Sequence, residues 1–315
     1  MKPALRNFWS SPAVVPSCYT DADPALTGDA SNIYLAFQKK GTNELHMARY
    51  EKSGRDWIWT GPVYTGQTSN VGPALTVHNG AIYMVWLSTD NTSHFSYGRL
   101  QDDGTFTFDG FVSDAVSIEA PTCASWNGAL WVGYIDKDTR QIMSTSLNGS
   151  KWSTPSEVHN QLSQDGPVFC TADNKLFLFH RGKTSDDIHY SARSTNQSDW
   201  PENEVVDDAI SQERPGAGLF GNFLVMVHNG KKDPHIWWHY LDLGANVWHH
   251  MGLCGGEIDV GPITIEPRHL ETNKAPAVWL RADDSGVENG RLMMVYANVT
   301  DGSNQLAYSF LSEIS

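Results

Sequence analysis

The chain has 315 residues, of which 40% are apolar and 18% are charged, and its formal net charge is −14 at pH 7. A chain of this length can bury a large core, and its composition excludes both intrinsic disorder and a membrane-spanning protein. The negative charge excludes nucleic acid and anionic membrane surfaces as partners, because either polyanion would be repelled, whereas neutral ligands remain compatible with it.

The N-terminal segment MKPALRNFWSSPAVV lacks the apolar core of a signal peptide. No apolar run approaches the roughly 18–20 residues that span a bilayer. We therefore expect no membrane insertion, and a protein that is either cytoplasmic or released without a classical signal peptide. The four cysteines, Cys18, Cys123, Cys170 and Cys254, show no metal-type spacing and are expected to be free thiols.

An internal repeat organises the whole chain. A proline recurs at intervals of 46 to 49 residues, and an aromatic residue stands 14 to 16 residues before each of these prolines. The marker prolines are Pro24, Pro73, Pro121, Pro167, Pro215 and Pro262. The marker aromatic residues are Trp9, Trp57, Phe106, Trp152, Trp200 and Trp248. A period of this length is typical of β-propeller blades, so we predict six blades that start near the six prolines.

Each repeat reads as four short strands in the same order. The first strand ends in a turn, as at Asn79-Gly80, and the apolar segment AIYMVWL (81–87) that follows indicates a strand buried on both faces. An alternating third strand comes next, and the marker aromatic residue opens the fourth. The third strand begins at an apolar residue in every repeat: Leu45, Phe95, Ile142, Ile188, Ile236 and Leu306.

The last repeat is longer than the others, and we place its extra residues within 266–290. The chain ends on a third-strand pattern, NQLAYSFLSEIS (304–315), and begins with a fourth-strand pattern, NFWSSPAVV (7–15). Residues 1–23 therefore complete the last blade, and a ring closed in this way leaves only short sheet edges. The prediction is one all-β domain over residues 1–315, a six-bladed β-propeller of four-stranded antiparallel blades closed by the N-terminal strand.

The six blades, the closing strand and the phrases NGSKW (148–152), SGRDW (53–57) and NQSDW (196–200) resemble the β-propeller lectins of fungi and bacteria. This resemblance implies several sugar sites between or on top of the blades, with glycans or glycoconjugates as partners. Fucose-binding members of the family present a glutamate on the third strand. The equivalent position here carries no acid in any repeat, so fucose specificity is not supported: Met47, Tyr97, Ser144, Tyr190, Trp238 and Tyr308.

A sugar site needs an aromatic wall and a few polar groups that fix the ring. In the third strand HIWWHY (235–240), Trp237 and Trp238 lie on opposite faces, so one of them is available to a ligand. The candidate sugar-binding residues are Trp152, Arg181, His189, Trp200, Glu213, Trp238 and Trp248. For each tryptophan taken alone, packing between blades is the competing interpretation.

A second set of candidates lies two positions before the marker prolines, where the loops of a propeller converge around the axis. These positions read Ala22, Val71, Glu119, Asp165, Glu213 and Val260. The three carboxylates, Glu119, Asp165 and Glu213, could bind a cation or sugar hydroxyls, and in an enzyme they are the candidate catalytic residues of a glycosidase. The competing interpretation is loop acids that bond to water and to backbone amides.

Three functions follow from these patterns. The first is a carbohydrate-binding lectin with several sites, the second an enzyme with one axial active site for glycan hydrolysis or other small-molecule chemistry, and the third a protein-interaction propeller. We expect no cofactor, with a cation near the axis as a weaker alternative. The histidines at 228, 235, 239, 249 and 250 fall on different strands, so we predict no metal site. A homo-oligomer is left open.

Overall fold

The structure is a computed structural model that describes residues 9–29, 31–89, 93–255, 258–259, 264–265, 269–281 and 291–311. These residues contain strands and turns but no helix, and hence no helix that could cross a membrane. Six antiparallel sheets form the blades of a ring, and in five of them the strands follow chain order from the axis to the rim, whereas the N-terminal strand is outermost in the sixth. The predicted six-bladed β-propeller is therefore confirmed.

The strands are numbered along the chain, beginning with β1 (Ala13–Tyr19). The first blade contains β2 (Ala25–Gly28), β3 (Asn32–Gln38), β4 (Glu44–Ser53) and β5 (Asp56–Thr68). The second contains β6 (Ala74–His78), β7 (Ala81–Leu87), β8 (His94–Arg99) and β9 (Gly110–Val116). The third contains β10 (Thr122–Trp126), β11 (Ala129–Ile135), β12 (Gln141–Asn148), the short β13 (Lys151–Trp152) and β14 (Ser156–Leu162).

The fourth blade contains β15 (Val168–Ala172), β16 (Lys175–Arg181), β17 (Asp187–Ser194) and β18 (Glu204–Ile210). The fifth contains β19 (Gly216–Phe220), β20 (Phe223–Asn229), β21 (Ile236–Asp242) and β22 (Val247–Leu253). A small hairpin follows, β23 (Ile258–Asp259) and β24 (Thr264–Ile265). The sixth blade contains β25 (Ala277–Arg281), β26 (Arg291–Asn298) and β27 (Gln305–Leu311), with β1 as its outer strand.

The N-terminal segment closes the ring, as the sequence predicts. Strand β1 pairs antiparallel with β27, with Ala13 opposite Tyr308 and Val14 opposite Ala307. Trp9 extends this pairing through a bridge to Leu311. Because the first and last segments of the chain share one sheet, opening the sixth blade requires these contacts to be lost together.

The start of the sixth blade differs from the prediction. Its inner strand begins at Ala277, directly after Pro276, whereas the repeat spacing placed the start near Pro262, which lies outside the described residues. In the other five blades too, the inner strand begins directly after the marker proline. The extra residues lie both before β25 and between β25 and β26, so counting one period selected a proline too early.

The burial of the strands explains why the repeat can be recognised in the sequence. The six apolar residues predicted to begin the third strands, Leu45 to Leu306, all have no exposed side-chain surface. Every residue of the second strand β20 is buried as well. The second strand of a blade packs on both faces, which explains why its residues are mostly apolar and confirms the interpretation of the apolar segments.

The turn between the first two strands follows from its residues. Asn79 and Gly80 both adopt positive φ, 50° and 77°, and the same holds for Asn127 and Gly128, at 49° and 74°. A two-residue hairpin that matches the twist of its strands needs positive φ at both positions, which asparagine and glycine adopt most readily. These turns bring the second strand back beside the first at the channel wall.

Candidate functional site

The marker aromatic residues lie at the interfaces between neighbouring blades. Four of them, Trp9, Trp152, Trp200 and Trp248, contact the third-strand residue of the preceding blade. Four interfaces are filled by a pair of rings whose centroids are 5.2 to 6.0 Å apart: Tyr97–Trp152, Tyr190–Trp248, Tyr308–Trp59 and Trp238–Trp9. At a fifth interface Trp200 Nε1 donates a hydrogen bond to Ser144 Oγ at 3.2 Å. The aromatic repeat therefore marks packing between blades.

This packing decides which predicted tryptophans a sugar could reach. Trp238 has no exposed surface and Trp200 is 3% exposed, so burial removes both from the candidate sugar-binding residues. Trp152 and Trp248 are half-buried, and the indole N–H of Trp152 is buried without a hydrogen-bond partner among the described residues. Trp59, not the marker Trp57, makes the ring contact with Tyr308 in the first blade.

Arg181 and His189, the predicted polar partners of a sugar, are engaged within the fourth blade. Arg181 Nε lies 2.8 Å from Asp165 Oδ2, and its Nη2 donates to Gln164 Oε1 at 2.8 Å. The ring of His189 stacks on that of His180 with centroids 5.2 Å apart. Burial lowers the pKa of both imidazoles, that of His180 to about 3. The Arg181 guanidinium is therefore not free to bind a ligand, whereas His189 is half-buried and, among the described residues, held by ring stacking alone.

The predicted axial acids do converge at one mouth of the central channel, but arginines pair with most of them. The position two before Pro276 is Lys274, which takes the place predicted for Val260. Val260 itself lies outside the described residues. The ion pairs at this mouth are Glu119–Arg140 at 2.9 Å, Asp165–Arg181 at 2.8 Å and Asp23–Arg214 at 2.9 Å. Burial raises the pKa of Asp165, and Arg181 opposes that shift.

Arg214 narrows this mouth. Its guanidinium reaches across the axis, where Nε donates to Asp23 Oδ2 at 2.9 Å and Nη1 donates to Pro121 O at 3.0 Å. Asp23 Oδ1 accepts a further hydrogen bond from Ala275 N at 2.9 Å. The space that remains is about 100 Å³. Ligand pockets start at about 300 Å³, so the geometry does not favour the predicted active site around Asp165, Glu213 and Glu119.

Glu213 is the exception among these acids, because it forms no hydrogen bond or ion pair through its carboxylate with another described residue. Burial, followed by the charges of Asp23 and Asp165, raises its pKa to about 7, although Lys274 and Arg181 oppose the shift. The folded protein therefore holds this proton more tightly than the unfolded chain. Stability is lost as the pH rises from the unfolded pKa near 4.5 through about 7.

We accordingly expect Glu213→Gln to raise the free energy of unfolding at pH 8 by on the order of 1–3 kcal/mol and to change little at pH 4. Urea unfolding at both pH values measures the difference, with the exposed Glu157→Gln as the matched control. A gain of equal size at the two pH values would show that the carboxylate charge is not responsible.

The interface between the first and second blades is different from the other five. Its third-strand residue is Met47 and its marker aromatic residue is Phe106, which is buried within the core and 4% exposed. No aromatic pair among the described residues fills the space between the blades here, and a cavity of about 590 Å³ opens to solvent. We call it the interblade cleft. It is lined by Asp29, Tyr34, Met47, Arg49, Thr60, Gly61, Val63, Gly80, Ala81, Ile82, Leu100, Gln101, Asp102, Asp103 and Gly104.

The first-blade wall of the cleft carries a fixed polar group. Tyr34 Oη donates to Asp29 Oδ2 at 3.2 Å, and Asp29 Oδ1 accepts from the backbone N of Ser31 at 2.7 Å. Burial and the neighbouring Asp29 raise the pKa of Tyr34, so the phenol keeps its proton. Arg49 lies beside this pair, and its Nη2 is 2.7 Å from Glu51 Oε2. The guanidinium of Arg49, a hydrogen-bond donor, and the carboxylate of Asp29 thus stand at defined positions on this wall.

The second-blade wall is the loop between β8 and β9. Asp103 Oδ1 accepts hydrogen bonds from Thr105 N at 3.0 Å and Thr105 Oγ1 at 2.7 Å, which lowers the pKa of Asp103. The loop is tied to the first blade because Phe106 N donates to Thr65 O at 3.0 Å. Asp102 forms no hydrogen bond or ion pair with another described residue. Its carboxylate is therefore available at a loop whose backbone is fixed.

A second cavity, of about 470 Å³, lies between β1 and the first blade and carries basic groups that are already engaged. Lys40 Nζ donates to Ser303 O at 2.9 Å, and Lys39 Nζ lies 3.5 Å from Glu44 Oε2. His46 Nε2 also contacts that carboxylate, at 3.0 Å. The interblade cleft differs in that one of its carboxylates, that of Asp102, has no partner among the described residues.

None of the residues predicted for sugar binding lines the interblade cleft. The sequence nevertheless holds a signal for it. Phe106 is the one marker that is not a tryptophan, and Met47 is one of two third-strand residues that are not aromatic. The two departures from the repeat fall at the same interface. Metal binding receives no support from geometry, since no three His, Cys, Asp or Glu side chains within the described ranges are placed to hold an ion.

No protein-family model matches the sequence, and no curated protein is similar to it. The fold is found in solved structures. The chain aligns with AofleA from Arthrobotrys oligospora at 11% identity over 99% of this chain and 91% of that one, with a TM-score of 0.62. A variant of Aleuria aurantia lectin in complex with Fucα1-6GlcNAc aligns at 12% identity over 93% of each chain, with a TM-score of 0.65.

The same fold is also found in a protein with a different description. A putative oxidoreductase (glucose dehydrogenase) from Thermus thermophilus aligns at 12% identity over 95% of this chain and 99% of that one, with a TM-score of 0.57. At these identities the similarity establishes the six-bladed β-propeller and its likeness to the fucose lectins as a fold. Function has to be argued from the site.

Proposed function

We propose that this propeller binds a neutral glycan in the interblade cleft. The observation that carries the proposal is the cleft itself, a cavity of about 590 Å³ at an interface where, among the described residues, neither a pair of aromatic rings nor a marker tryptophan meets the third-strand residue. Its volume lies within the range of about 300–1,000 Å³ that ligand pockets occupy. The shared fold with lectins whose structures hold fucosides adds support from analogy.

The lining of the cleft matches the two kinds of surface that a sugar ring presents. Met47, Val63 and Leu100 offer apolar contact to the C–H face of a pyranose. Arg49 offers hydrogen-bond donors and Asp102 an unpaired carboxylate to the hydroxyl groups. Hydrogen bonds to charged groups are stronger than neutral ones, so a few of them can orient the ligand.

The charge of the cleft selects against acidic glycans. Asp29, Asp102 and Asp103 line it, and the positive charge of Arg49 is largely offset by Glu51 at 2.7 Å. A sialylated or sulfated glycan would meet these carboxylates on a chain whose net charge is −14. We therefore propose neutral glycans as the ligand class.

The proposal concerns one site. The aromatic pairs and Trp200 occupy the equivalent position at the other five interfaces, so the repeat does not produce six similar pockets. One interface has diverged from the repeat, which is the arrangement expected when a single asymmetric site is built on a symmetric frame. Avidity would then require several copies of the chain on one glycosylated surface.

A glycan array with matched arginine variants tests the proposal. Arg99 occupies in the second blade the position that Arg49 occupies in the first, and it pairs with Asp109 at 2.7 Å outside the cleft. The two side chains are similarly exposed, 45% and 51%. We expect the wild-type chain to bind one class of neutral glycan, Arg49→Met to lose about tenfold or more in affinity, and Arg99→Met to bind as the wild type does.

Two outcomes would contradict the proposal. Silence of the wild-type chain across the array would remove carbohydrate binding altogether. Equal losses in the two variants would keep carbohydrate binding but take it out of the interblade cleft. Titration of the best array glycan with each variant separates a change in affinity from a change in the active fraction of the sample.

A further inference from the structure

The central channel is divided into two unequal parts. A ring of six residues, one from each inner strand, borders both the narrow mouth at Arg214 and a larger chamber of about 320 Å³ on the other side: Leu26, Leu75, Cys123, Phe169, Ala217 and Val278. The chamber continues along the inner strands towards the opposite face of the propeller. Arg214 lines the narrow mouth, so the chamber is the larger of the two spaces along the channel.

The chamber wall is apolar on most sides. Trp279 and Leu280 of the sixth blade and Val77 of the second line it, together with Cys170. Burial raises the pKa of Cys170 to about 12, so the thiol is neutral. A Cβ at Gly28 would lie 2.6 Å from Trp279 Nε1, so the glycine leaves room for this indole beside the channel. No charged side chain among the described residues lines the chamber.

Two hydroxyl groups supply polarity on this wall. Thr76 and Thr171 line the chamber, and neither forms a hydrogen bond through its hydroxyl with another described residue. Ser125 also lines it, but its Oγ is engaged with His78 Nδ1 at 2.9 Å. The chamber thus combines an apolar body with two free hydroxyls that can give or accept a hydrogen bond.

We propose that the axial chamber binds a small uncharged molecule with an apolar body and one hydrogen-bonding group. The volume of about 320 Å³ lies at the lower end of the range for ligand pockets. A cavity lined by apolar side chains holds water poorly and takes apolar guests instead. A charged ligand is excluded because no counter-charge would compensate for its loss of hydration. This site is separate from the interblade cleft and does not depend on it.

An uncharged fluorescent probe tests the proposal directly. We expect N-phenyl-1-naphthylamine to bind the wild-type chain at one site, with a rise in fluorescence that saturates. Two variants fill the chamber at different depths: Ala217→Phe at the ring of six residues and Thr171→Phe further along the wall. Each should weaken binding about tenfold or more. The control, Thr154→Phe, adds the same side chain at an exposed position outside the channel.

The controls separate the chamber from the surface and from the glycan site. The anionic analogue 8-anilino-1-naphthalenesulfonate should bind at least tenfold more weakly than the neutral probe. The best array glycan should not displace the neutral probe. If one variant fails to fold by circular dichroism, the other still decides. Absence of saturable binding, or binding that survives filling of the chamber as it survives Thr154→Phe, would overturn the proposal.

Discussion

Replacing Trp238 by alanine is expected to lower the free energy of unfolding by about 3–5 kcal/mol. The side chain has no exposed surface and meets Trp9 edge to face, with ring centroids 6.0 Å apart. Trp9 belongs to the N-terminal segment that completes the sixth blade. The substitution therefore leaves a cavity at the interface that joins the fifth blade to the closing segment of the ring.

The adjacent tryptophan is the matched control for this expectation. Trp237 lies on the other face of β21, is half-buried and stacks on the exposed His250 with centroids 6.0 Å apart. Trp237→Ala should cost about 1 kcal/mol, because its surroundings can relax and water can fill the space. Guanidinium unfolding monitored by circular dichroism measures both values. Equal losses would contradict the packing role given to the third-strand position.

Acid should destabilise the fifth blade through a buried pair of histidines. His228 Nε2 and His239 Nε2 are 3.1 Å apart, and His228 Nδ1 donates to Asn229 O at 2.9 Å. His228 Nε2 must then accept, so His239 Nε2 carries the proton that joins the two rings. Both rings are neutral in the folded protein. Burial lowers the pKa of His228 to about 4 and that of His239 to about 2, and the nearby His250 adds to the shift.

The sign of the pH dependence follows from these directions. Unfolded histidine titrates near 6.5, so protons bind the unfolded chain first as the pH falls. Stability is therefore fully present above about pH 6.5 and is lost progressively below it. Each histidine that stays neutral in the folded state costs about 1.4 kcal/mol per pH unit in this window, which amounts to about 2 kcal/mol between pH 6.5 and 5.

His239→Gln tests this pH dependence, because the glutamine amide can keep a donor towards His228 but does not titrate. We expect the variant to lose less stability than the wild type between pH 7.5 and 5, by about 2 kcal/mol. His159→Gln is the control, since His159 is 46% exposed and stands outside the pair. A variant whose pH profile runs parallel to that of the wild type would contradict the assignment of His239.

Most of the fold could be predicted because the same structural requirements recur in each of the six blades. Each blade needs an apolar second strand and a turn at fixed places, as Asn79 and Gly80 illustrate, and these requirements are local in sequence. The prediction failed at the start of the sixth blade, because the inserted residues there break the regular spacing along the sequence. By sequence, either Pro262 or Pro276 could precede the inner strand. Only the pairing of Ala277 with Val295 on β26 distinguishes the true start.

The candidate site could not be predicted in the same way, because a contact between blades joins residues that are far apart in the chain. The sequence places Trp237 and Trp238 on opposite faces of one strand but does not tell which face meets Trp9. It shows Glu213 and Asp165 near the axis but not that Arg214 reaches across to Asp23. The interblade cleft is present because no marker tryptophan packs beside Met47. The absence of a contact leaves no positive pattern in the sequence.

The propeller described by these contacts is a sixfold frame with one exceptional interface. Aromatic and tryptophan packing holds the other five together, and the axial mouth that would suit a single active site is narrowed to about 100 Å³ beside the Arg214–Asp23 ion pair. The proposed glycan site between the first two blades and the proposed ligand site in the axial chamber use two spaces that this frame leaves at different places.

The most direct test is a crystal structure of the chain with the neutral glycan that binds best on the array. Glycan binding between the first and second blades predicts electron density in the interblade cleft, with Arg49 and Asp102 in contact with the sugar hydroxyls. Density at another interface or at the axial mouth, with the cleft filled only by water, would contradict it.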